Sequence, residues 1–222
     1  MCSFDTSWEA VYQKTGFGGD YPDTNLVRFV ARNLYAKERK STRILEVGCG
    51  VGANLWYLIQ EGFDTYGLDG SKTAIEKCAA NLKRQDFSCK LFVSDAADLR
   101  FEDNYFDAVV DIECIYANTI ADIKKILREI YRTLKEGGLF FSMMFSKKTW
   151  GYGLGKEIES NTFVEINNRI FGGRGMAHFF IIEEIHGLLL EIGFRDIEIN
   201  VASRTENNRK YIIEELLCQA KK

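Results

Sequence analysis

Short apolar segments, glycine turns and amphipathic helices alternate along most of this sequence. The segment 43–47 is apolar, and a glycine-rich turn separates it from a helical stretch over 52–61. Ser71 is then placed to cap a second helix, whose apolar residues fall on one face. Parallel strands need crossover connections, usually helices, and these cover both faces of the sheet. The alternation therefore predicts a doubly wound α/β fold.

The remaining elements continue this order. The predicted strands are 43–47, 65–68, 90–93, 106–112, 139–145 and 194–201, and the predicted helices are 52–61, the stretch after Ser71, 122–134 and 183–191. Gly137 and Gly138 are expected to end the third helix, and Gly193 the fourth. The secondary structure of the tail around 212–217 is not decided by the sequence, because its apolar residues have helical spacing while its position suits a last sheet strand.

Composition and charge narrow the functional classes. The chain has 222 residues, which suits one domain, and no apolar run approaches the roughly 18 residues that cross a bilayer. The start lacks the basic and apolar regions of a secretion signal, and the six cysteines form no C-x-x-C pair, so we expect a cytoplasmic protein with reduced thiols and no bound metal. The net charge of −3 argues against binding a phosphate backbone. We therefore expect no nucleic-acid partner, no membrane partner, and a monomer or homodimer.

The run I-L-E-V-G-C-G-V-G-A-N at 44–54 holds the most informative turn. A strand enters it and a helix leaves, so a ligand can approach bare backbone at a helix N-terminus. Gly48, Gly50 and Ala53 also satisfy the dinucleotide fingerprint G-x-G-x-x-G/A, which keeps an NAD-dependent oxidoreductase open. Glu46 weighs against it, because a carboxylate there repels a pyrophosphate but attracts the ammonium or sulfonium end of S-adenosylmethionine.

Two further carboxylates follow the next two strands. Asp69 ends the second strand and is placed to accept from both ribose hydroxyls, a device that NAD enzymes share. Asp95 and Ala96 follow the third strand, where a carboxylate can accept from an adenine amino group while a backbone N–H meets a ring nitrogen. Together with Glu46, these positions favour S-adenosylmethionine over NAD.

Five segments resemble the class I S-adenosylmethionine-dependent methyltransferases, in the small-molecule group often labelled methyltransferase types 11 and 12. They are E-V-G-C-G-V-G (46–52), G-L-D-G-S (67–71), S-D-A-A-D-L (94–99), F-E-D-N-Y-F-D-A-V-V-D (101–111) and L-K-E-G-G-L-F-F-S (134–142), in the family's order and spacing. The resemblance implies a Rossmann-like, mostly parallel sheet of seven strands in the order 3-2-1-4-5-7-6, with the last strand, about 214–220, antiparallel. It also implies one domain over 1–222, made of an N-terminal cap 1–40, a core 41–145, a substrate lid 146–182 and a C-terminal helix and strands 183–222.

The resemblance also assigns a site for S-adenosylmethionine. The glycine loop would contact the methionine half and Tyr12 its carboxylate, Asp69 would hold the ribose, and Asp95 the adenine. The expected cofactor-binding residues are Tyr12, Glu46, Gly48, Cys49, Gly50, Asp69, Gly70, Ser71, Asp95, Ala96, Ile112 and Glu113.

The sequence gives less information about the residues that bind the methyl acceptor. Residues 146–182 lack strong periodicity and are too long for an idle connection, so we expect them to form one wall of the acceptor pocket. Ala117 stands where many members of the family carry a histidine, so that base is missing here. The catalytic candidates are Glu113, Tyr116 and His178, and the expected substrate-binding residues are Tyr21, Trp150, Tyr152, Arg169, Arg174 and His178.

The resulting functional expectation is methyl transfer from S-adenosylmethionine to an oxygen or nitrogen of a small acceptor, such as a sugar or another polar metabolite, mainly by proximity and orientation. Two alternatives stay open. The first is an NAD-dependent oxidoreductase, which tight NADH binding without S-adenosylmethionine binding would favour. The second is a non-catalytic S-adenosylmethionine-binding regulatory protein, which should have no cavity beside the sulfonium.

Overall fold

The computed structural model describes residues 3–15 and 18–222. Two helices, α1 (Ser7–Thr15) and α2 (Thr24–Asn33), precede the sheet. The following elements are β1 (Arg43–Val47), α3 (Ala53–Gln60), β2 (Asp64–Asp69), α4 (Lys72–Lys83), β3 (Lys90–Val93), β4 (Phe106–Ile112), α5 (Ile120–Thr133) and β5 (Leu134–Phe145). The chain continues with β6 (Lys156–Glu159), β7 (Thr162–Val164), β8 (Ala177–His178), α6 (Ile182–Ile192), β9 (Arg195–Glu206) and β10 (Tyr211–Lys221).

The main sheet has seven strands in the order β3-β2-β1-β4-β5-β10-β9. Strand β10 is antiparallel to both of its neighbours, and the other pairings are parallel. Counted within this sheet, the order is 3-2-1-4-5-7-6, so the predicted doubly wound fold is confirmed. The carboxyl ends of the parallel strands meet at one edge, where ligands of open α/β sheets bind.

The tail is a strand rather than a helix. Its residues pair with β5 on one side and β9 on the other, from Leu216 opposite Met144 to Lys221 opposite Leu139. Residues 213–216 are all buried, because β10 lies inside the sheet and both of its faces are covered. A strand buried on both faces carries runs of apolar residues rather than an alternation, and such runs imitate helical spacing.

The sequence predicts that the glycine pair after α5 ends this helix, and the structure shows that it does not. The helix ends at Thr133, and Gly137 and Gly138 lie within β5. The ladder with β4 pairs Phe106 with Leu134 and next pairs Ala108 with Leu139, so several residues of β5 form a bulge. Gly137 takes a φ of +71° in that bulge, a left-handed backbone that glycine adopts without steric cost.

The segment 146–182, predicted to be irregular, contains a small antiparallel sheet of its own. Strands β6, β7 and β8 pair in that order. Aromatic rings fill the space between this sheet and the main core; Phe171, for example, lies 4.9 Å from Phe145 and 5.1 Å from Phe179, measured between ring centroids. The segment is therefore anchored in the core cluster rather than laid over the sheet edge.

Other local predictions agree with the structure. The Ser71 hydroxyl accepts from the Ala74 amide at 3.0 Å and caps α4, and Gly193 ends α6 with a φ of +115°. The five cysteines within the described ranges are free thiols, and Cys2 lies outside the described residues. Over residues 3–15 and 18–222, no helix has the length and apolar character to cross a membrane.

Candidate active site

A cavity of about 460 Å³ opens at the carboxyl ends of β1, β2 and β4. The glycine loop forms its floor, and the N-terminal segments 3–5 and 18–24 form part of its wall. Acidic side chains at the ends of four strands, β1 to β4, line it, namely Glu46, Asp69, Asp95 and Glu113. The cavity is thus markedly acidic, in a chain whose net charge is only −3.

Two positions of the glycine loop admit no side chain. Gly48 has a φ of +72°, and a Cβ there would lie 2.3 Å from the Cβ of Cys114. Gly50 has a φ of +53°, and a Cβ there would lie 2.8 Å from the Tyr12 hydroxyl oxygen. The loop is pinned to β2, since the amides of Gly48 and Cys49 both donate to the Leu68 carbonyl, at 2.7 and 2.9 Å. Glycine here lets the backbone turn tightly and form the cavity floor.

Glu46 is a buried carboxylate with one unused oxygen. The Asn54 side-chain amide donates to Oε1 at 2.7 Å, and Asn54 in turn accepts from the Asp23 amide at 2.9 Å. Within the described residues, Oε2 has no hydrogen-bond partner. Burial raises the pKa of Glu46 well above its usual range. A buried acceptor without a partner is costly, so this oxygen is prepared for a donor that enters the cavity.

Asp69 is fixed by backbone amides. Gly50 donates to Oδ2 at 2.9 Å and Ser71 donates to Oδ1 at 2.8 Å. These bonds hold the carboxylate at the end of β2, and they partly offset the burial that raises the pKa of Asp69. Asp95 is held by the Ala97 amide at 2.9 Å and by the backbone and hydroxyl of Ser3. The N-terminal segment therefore reaches across the mouth of the cavity to the loop after β3.

Glu113 occupies a special backbone position directly after β4. Its φ of +57° is left-handed, and its amide donates to the Met143 carbonyl at 3.1 Å. A left-handed backbone at a residue other than glycine costs free energy and needs support from the surrounding structure. Burial and the neighbouring carboxylate of Glu215 raise the pKa of Glu113 to about 8. Glu113 is thus a cavity-lining carboxyl group that can change its charge near neutral pH.

Comparison with known proteins identifies the family. A family model described as a methyltransferase domain matches residues 44–138. The tRNA N(3)-methylcytidine methyltransferase Mettl2 of Drosophila melanogaster is 29% identical over 175 residues, which are 75% of this chain and 53% of that protein. Phosphoethanolamine N-methyltransferase 2 of Caenorhabditis elegans is 33% identical over 112 residues, covering 50% of this chain and 24% of that protein. A SAM-dependent methyltransferase structure from Methanosarcina mazei has a TM-score of 0.71 at 23% identity, covering 86% of this chain and 96% of that one.

Residues 44–138 thus match a methyltransferase domain, and the family model together with the fold supports a class I S-adenosylmethionine-dependent methyltransferase. The same findings support S-adenosylmethionine as the cofactor and favour a methyltransferase over the NAD-dependent and non-catalytic alternatives. The chain spans about half the length of the curated relatives it matches.

These relatives overturn one expectation from the sequence. Several of them are tRNA N(3)-cytidine methyltransferases, so the expectation of no nucleic-acid partner was wrong, and the small-molecule acceptor is unconfirmed. The inference rested on the net charge of −3, which sums over the whole chain. Contact with a nucleic acid depends on where the cations lie, and a net value does not carry that information.

The cavity of this methyltransferase fits its cofactor. The unused Oε2 of Glu46 is a buried acceptor that suits the ammonium of the methionine half. The glycine floor leaves room where a Cβ at Gly48 or Gly50 would collide with the protein itself. Asp69 and Asp95 lie at the ends of neighbouring strands, as expected of groups that hold a ribose and an adenine. When bound, the cofactor supplies a methyl group on a sulfonium with a good leaving group.

Most of the predicted cofactor residues come together here. The cavity is lined by Tyr12, Glu46, Gly48, Cys49, Gly50, Asp69, Gly70, Asp95, Ala96, Ile112 and Glu113, and also by the catalytic candidate Tyr116 and by Tyr21. Ser71 lies behind this surface, where it caps α4 and donates to Asp69. Their individual roles stay predictions.

The segment expected to form a wall of the acceptor pocket lies elsewhere in the structure. None of residues 146–182, all of which the structure describes, lines the cavity, and the N-terminal segments form its outer wall instead. Trp150 stacks on Tyr211 with ring centroids 3.7 Å apart, and the ring of Tyr152 packs edge-on against Phe163. These aromatics are used in packing the small sheet against β10, which sequence periodicity could not reveal.

The other candidates in this segment also lie outside the cavity. His178 is buried in β8, with Nδ1 at 2.7 Å from the Thr162 hydroxyl and Nε2 at 3.2 Å from the Glu184 carboxylate, so both ring nitrogens are engaged. Arg169 is exposed. Arg174 is half-buried near Tyr116, where its charge opposes the burial that raises the pKa of that phenol.

The sequence pattern missed several residues of the site. Asn54 and Asp23 hold Glu46 in place, and Phe4 packs so closely on Gly70 that a Cβ there would lie 2.1 Å from its ring. Asn54 lies within the glycine-rich run 44–54, and its position as a polar residue in the first turn of α3 could have indicated its role. Glu215 had no such signal, because its proximity to Glu113 depends on the antiparallel return of β10.

Proposed function

We propose that this methyltransferase transfers the methyl group to a nitrogen atom, and that the acceptor is a cytosine base in RNA. The observation that carries the proposal is Glu113, a carboxyl group lining the cavity beyond the glycine loop. Methylation of a base nitrogen such as N3 of cytosine creates a positive charge. A carboxylate beside that nitrogen stabilises the charge, an electrostatic effect that is strongest in a site shielded from water.

The chemistry of cytosine matches such a carboxylate in a second way. The amino group N4, adjacent to N3, is a donor that glutamate and aspartate side chains accept. Tyr21 lines the same cavity while its side chain is 83% exposed, so its ring is available to stack on a planar base. The relatives that methylate N(3) of cytidine in tRNA support this choice.

Exposed cations after β5, on β9 and on the turn that follows β9 suit an RNA backbone. Arg204 lies on β9, and its guanidinium contacts Glu215, the neighbour of Glu113. Lys148 is largely exposed beside Glu214, and Arg209 lies on the exposed turn between β9 and β10. Such groups bind phosphates without reading the sequence, while the cavity would select the base.

A small amine is the second candidate acceptor. The acidic lining of the cavity attracts an ammonium group as well as it accepts from cytosine. The Caenorhabditis elegans relative, a phosphoethanolamine N-methyltransferase, supports this alternative. The two acceptors share the nitrogen chemistry and differ in size and charge.

The test is a transfer assay with methyl-labelled S-adenosylmethionine. A pool of unmodified tRNA transcripts and a panel of small amines, including phosphoethanolamine, are offered separately, and labelled RNA is digested to nucleosides for mass spectrometry. We expect 3-methylcytidine, and we expect the label to be lost with Asp69→Ala, which removes a predicted cofactor contact. Label in a small amine alone would favour the second candidate. Label on carbon or oxygen would refute both.

A further inference from the structure

We propose that Glu215 and Arg204 are positioning residues that set the charge of Glu113 where it faces the acceptor nitrogen. Neither lines the cavity, and neither carries a motif of the family resemblance. The inference rests on the proposed nitrogen acceptor, since it concerns the group that meets the positive charge formed there.

The three residues are brought together by the sheet. Glu215 lies on β10 opposite Phe145, at the carboxyl end of β5, and Glu113 directly follows β4, the next strand. The Glu113 and Glu215 carboxyl groups are close enough for the charge of Glu215 to raise the pKa of Glu113. The Arg204 guanidinium donates to Glu215 Oε1 at 2.9 Å from the neighbouring strand β9. Glu215 is 4% exposed while Arg204 is partly exposed, so the contact joins a buried carboxyl group to a cation at the surface.

Two carboxyl groups in contact cannot both be ionised at low cost, so the pair holds a proton over part of the pH range. Arg204 decides which partner keeps the charge, because its short contact is to Glu215. The proton is then held on Glu113, whose pKa is raised. Asp23, the N-cap of α2, adds to the negative charge that holds the proton on Glu113, and Arg204 opposes it.

Other ionisable groups around Glu113 do not change this order. Tyr116 faces it from the turn after β4, and burial raises the pKa of that phenol far above neutrality, so it stays neutral. Cys114 is adjacent in the chain, and burial likewise keeps its thiol protonated. Besides burial, which raises the pKa of Glu113 most, its charge state is therefore governed by Glu215, Arg204 and Asp23.

The consequence for the reaction follows from charge balance. The acceptor nitrogen forms a bond to the methyl carbon while the sulfur–carbon bond breaks and its electron pair stays on sulfur, so positive charge passes to nitrogen. An ionised Glu113 stabilises that charge, and it accepts the proton if the nitrogen carries one. Since the pKa of Glu113 is raised to about 8, the ionised form predominates only above that pH. Turnover should therefore rise with pH through about 8.

The pair can be tested without any acceptor. Carbon-13 NMR of protein labelled at the glutamate carboxyl carbons, with Glu113 assigned by the signal missing in Glu113→Gln, gives its titration directly. We expect Glu215→Gln to move the Glu113 midpoint to lower pH by about one to three units, because a like charge is removed. Arg204→Gln should move it to higher pH, and Arg204→Lys, which keeps the charge, should leave it near the wild-type value.

Controls separate this mechanism from a structural effect. Glu198→Gln removes a charge from an exposed position of β9 and should leave the Glu113 midpoint unchanged. Arg204 is partly exposed, so its variants keep the test available even if Glu215→Gln fails to fold. Equal midpoints in wild type, Glu215→Gln and Arg204→Gln would overturn the inference. Failure to methylate any nitrogen would instead refute the proposed function, while the titration would still report on the pair.

Discussion

Replacing Glu46 by glutamine separates the contribution of this side chain to ligand binding from its contribution to stability. In the structure Oε1 accepts from Asn54, and Oε2 has no partner within the described residues. Glutamine keeps the size and can still accept from Asn54, but it loses the negative charge. The variant therefore removes the feature expected to hold the cofactor ammonium and leaves the packing of β1 intact.

The two effects have opposite signs. Loss of one charge-assisted hydrogen bond should weaken binding of S-adenosylhomocysteine by about 1.5–3 kcal/mol, or about 10- to 150-fold in Kd. The ligand-free protein should be no less stable than wild type. Because the folded-state pKa of Glu46 is raised, its contribution to stability is present below the ordinary value of 4.5 and is lost as the pH rises toward the folded-state pKa. Glutamine has no such loss, so the stability difference should grow in favour of the variant with rising pH.

Calorimetry with S-adenosylhomocysteine and urea denaturation of the ligand-free protein, each at several pH values, measure both effects. Glu76→Gln is the matched control, since Glu76 lies on α4 with an exposed side chain paired only with Lys72 at 3.7 Å. Both quantities should be unchanged in this control. Unaltered affinity in Glu46→Gln, or a loss of stability at neutral pH, would refute the reasoning.

Three further predictions test other parts of the site. Asp69→Ala should weaken S-adenosylhomocysteine binding by about 1.5–3 kcal/mol, and equal affinity in calorimetry would contradict its assignment to the ribose. Gly48→Ala should lower the free energy of unfolding by about 2–5 kcal/mol in urea denaturation, because the backbone is left-handed and the new Cβ would collide with Cys114. The control is Gly173→Ala, where φ is +74° and nothing lies within 4 Å of the new Cβ. This variant should show only the destabilisation that comes from the backbone. His178→Ala should lower stability by about 1–3 kcal/mol, because the buried ring loses its bonds to the Thr162 hydroxyl and to Glu184, and should keep turnover per folded molecule. Lower turnover at unchanged stability would favour the catalytic role predicted from the sequence.

The agreement between sequence and structure is closest where a residue's environment is local. Strands β3 and β4 have the bounds predicted for them, and Ser71 caps the helix that follows it. Glu46, Asp69 and Asp95 were found because carboxylates that follow parallel strands must meet at one edge of the sheet. Sequence order alone brings them together once the strands are parallel.

Predictions for the second half of the chain were less accurate, because several distant segments compete for the same space. The aromatics of 146–182 had the composition of a lid, yet they pack with β10 and the core, and residues 3–5 and 18–24 cover the cavity. The helical spacing of the tail reflected burial on both faces of a strand, which depends on its insertion between β5 and β9.

The amino-acid sequence by itself determined the doubly wound sheet, the glycine floor and the acidic groups expected to hold S-adenosylmethionine, because periodicity, backbone freedom and chain order act over short distances. Only the tertiary structure decided which groups surround Glu113, the residue proposed to meet the acceptor. Glu215 and Arg204 approach Glu113 because an antiparallel strand, about a hundred residues later in the chain, inserts between β5 and β9. His178 is withdrawn from the cavity because its two ring nitrogens are bound within the small sheet and by α6. Such long-range pairings follow from packing, which no local pattern in the sequence encodes.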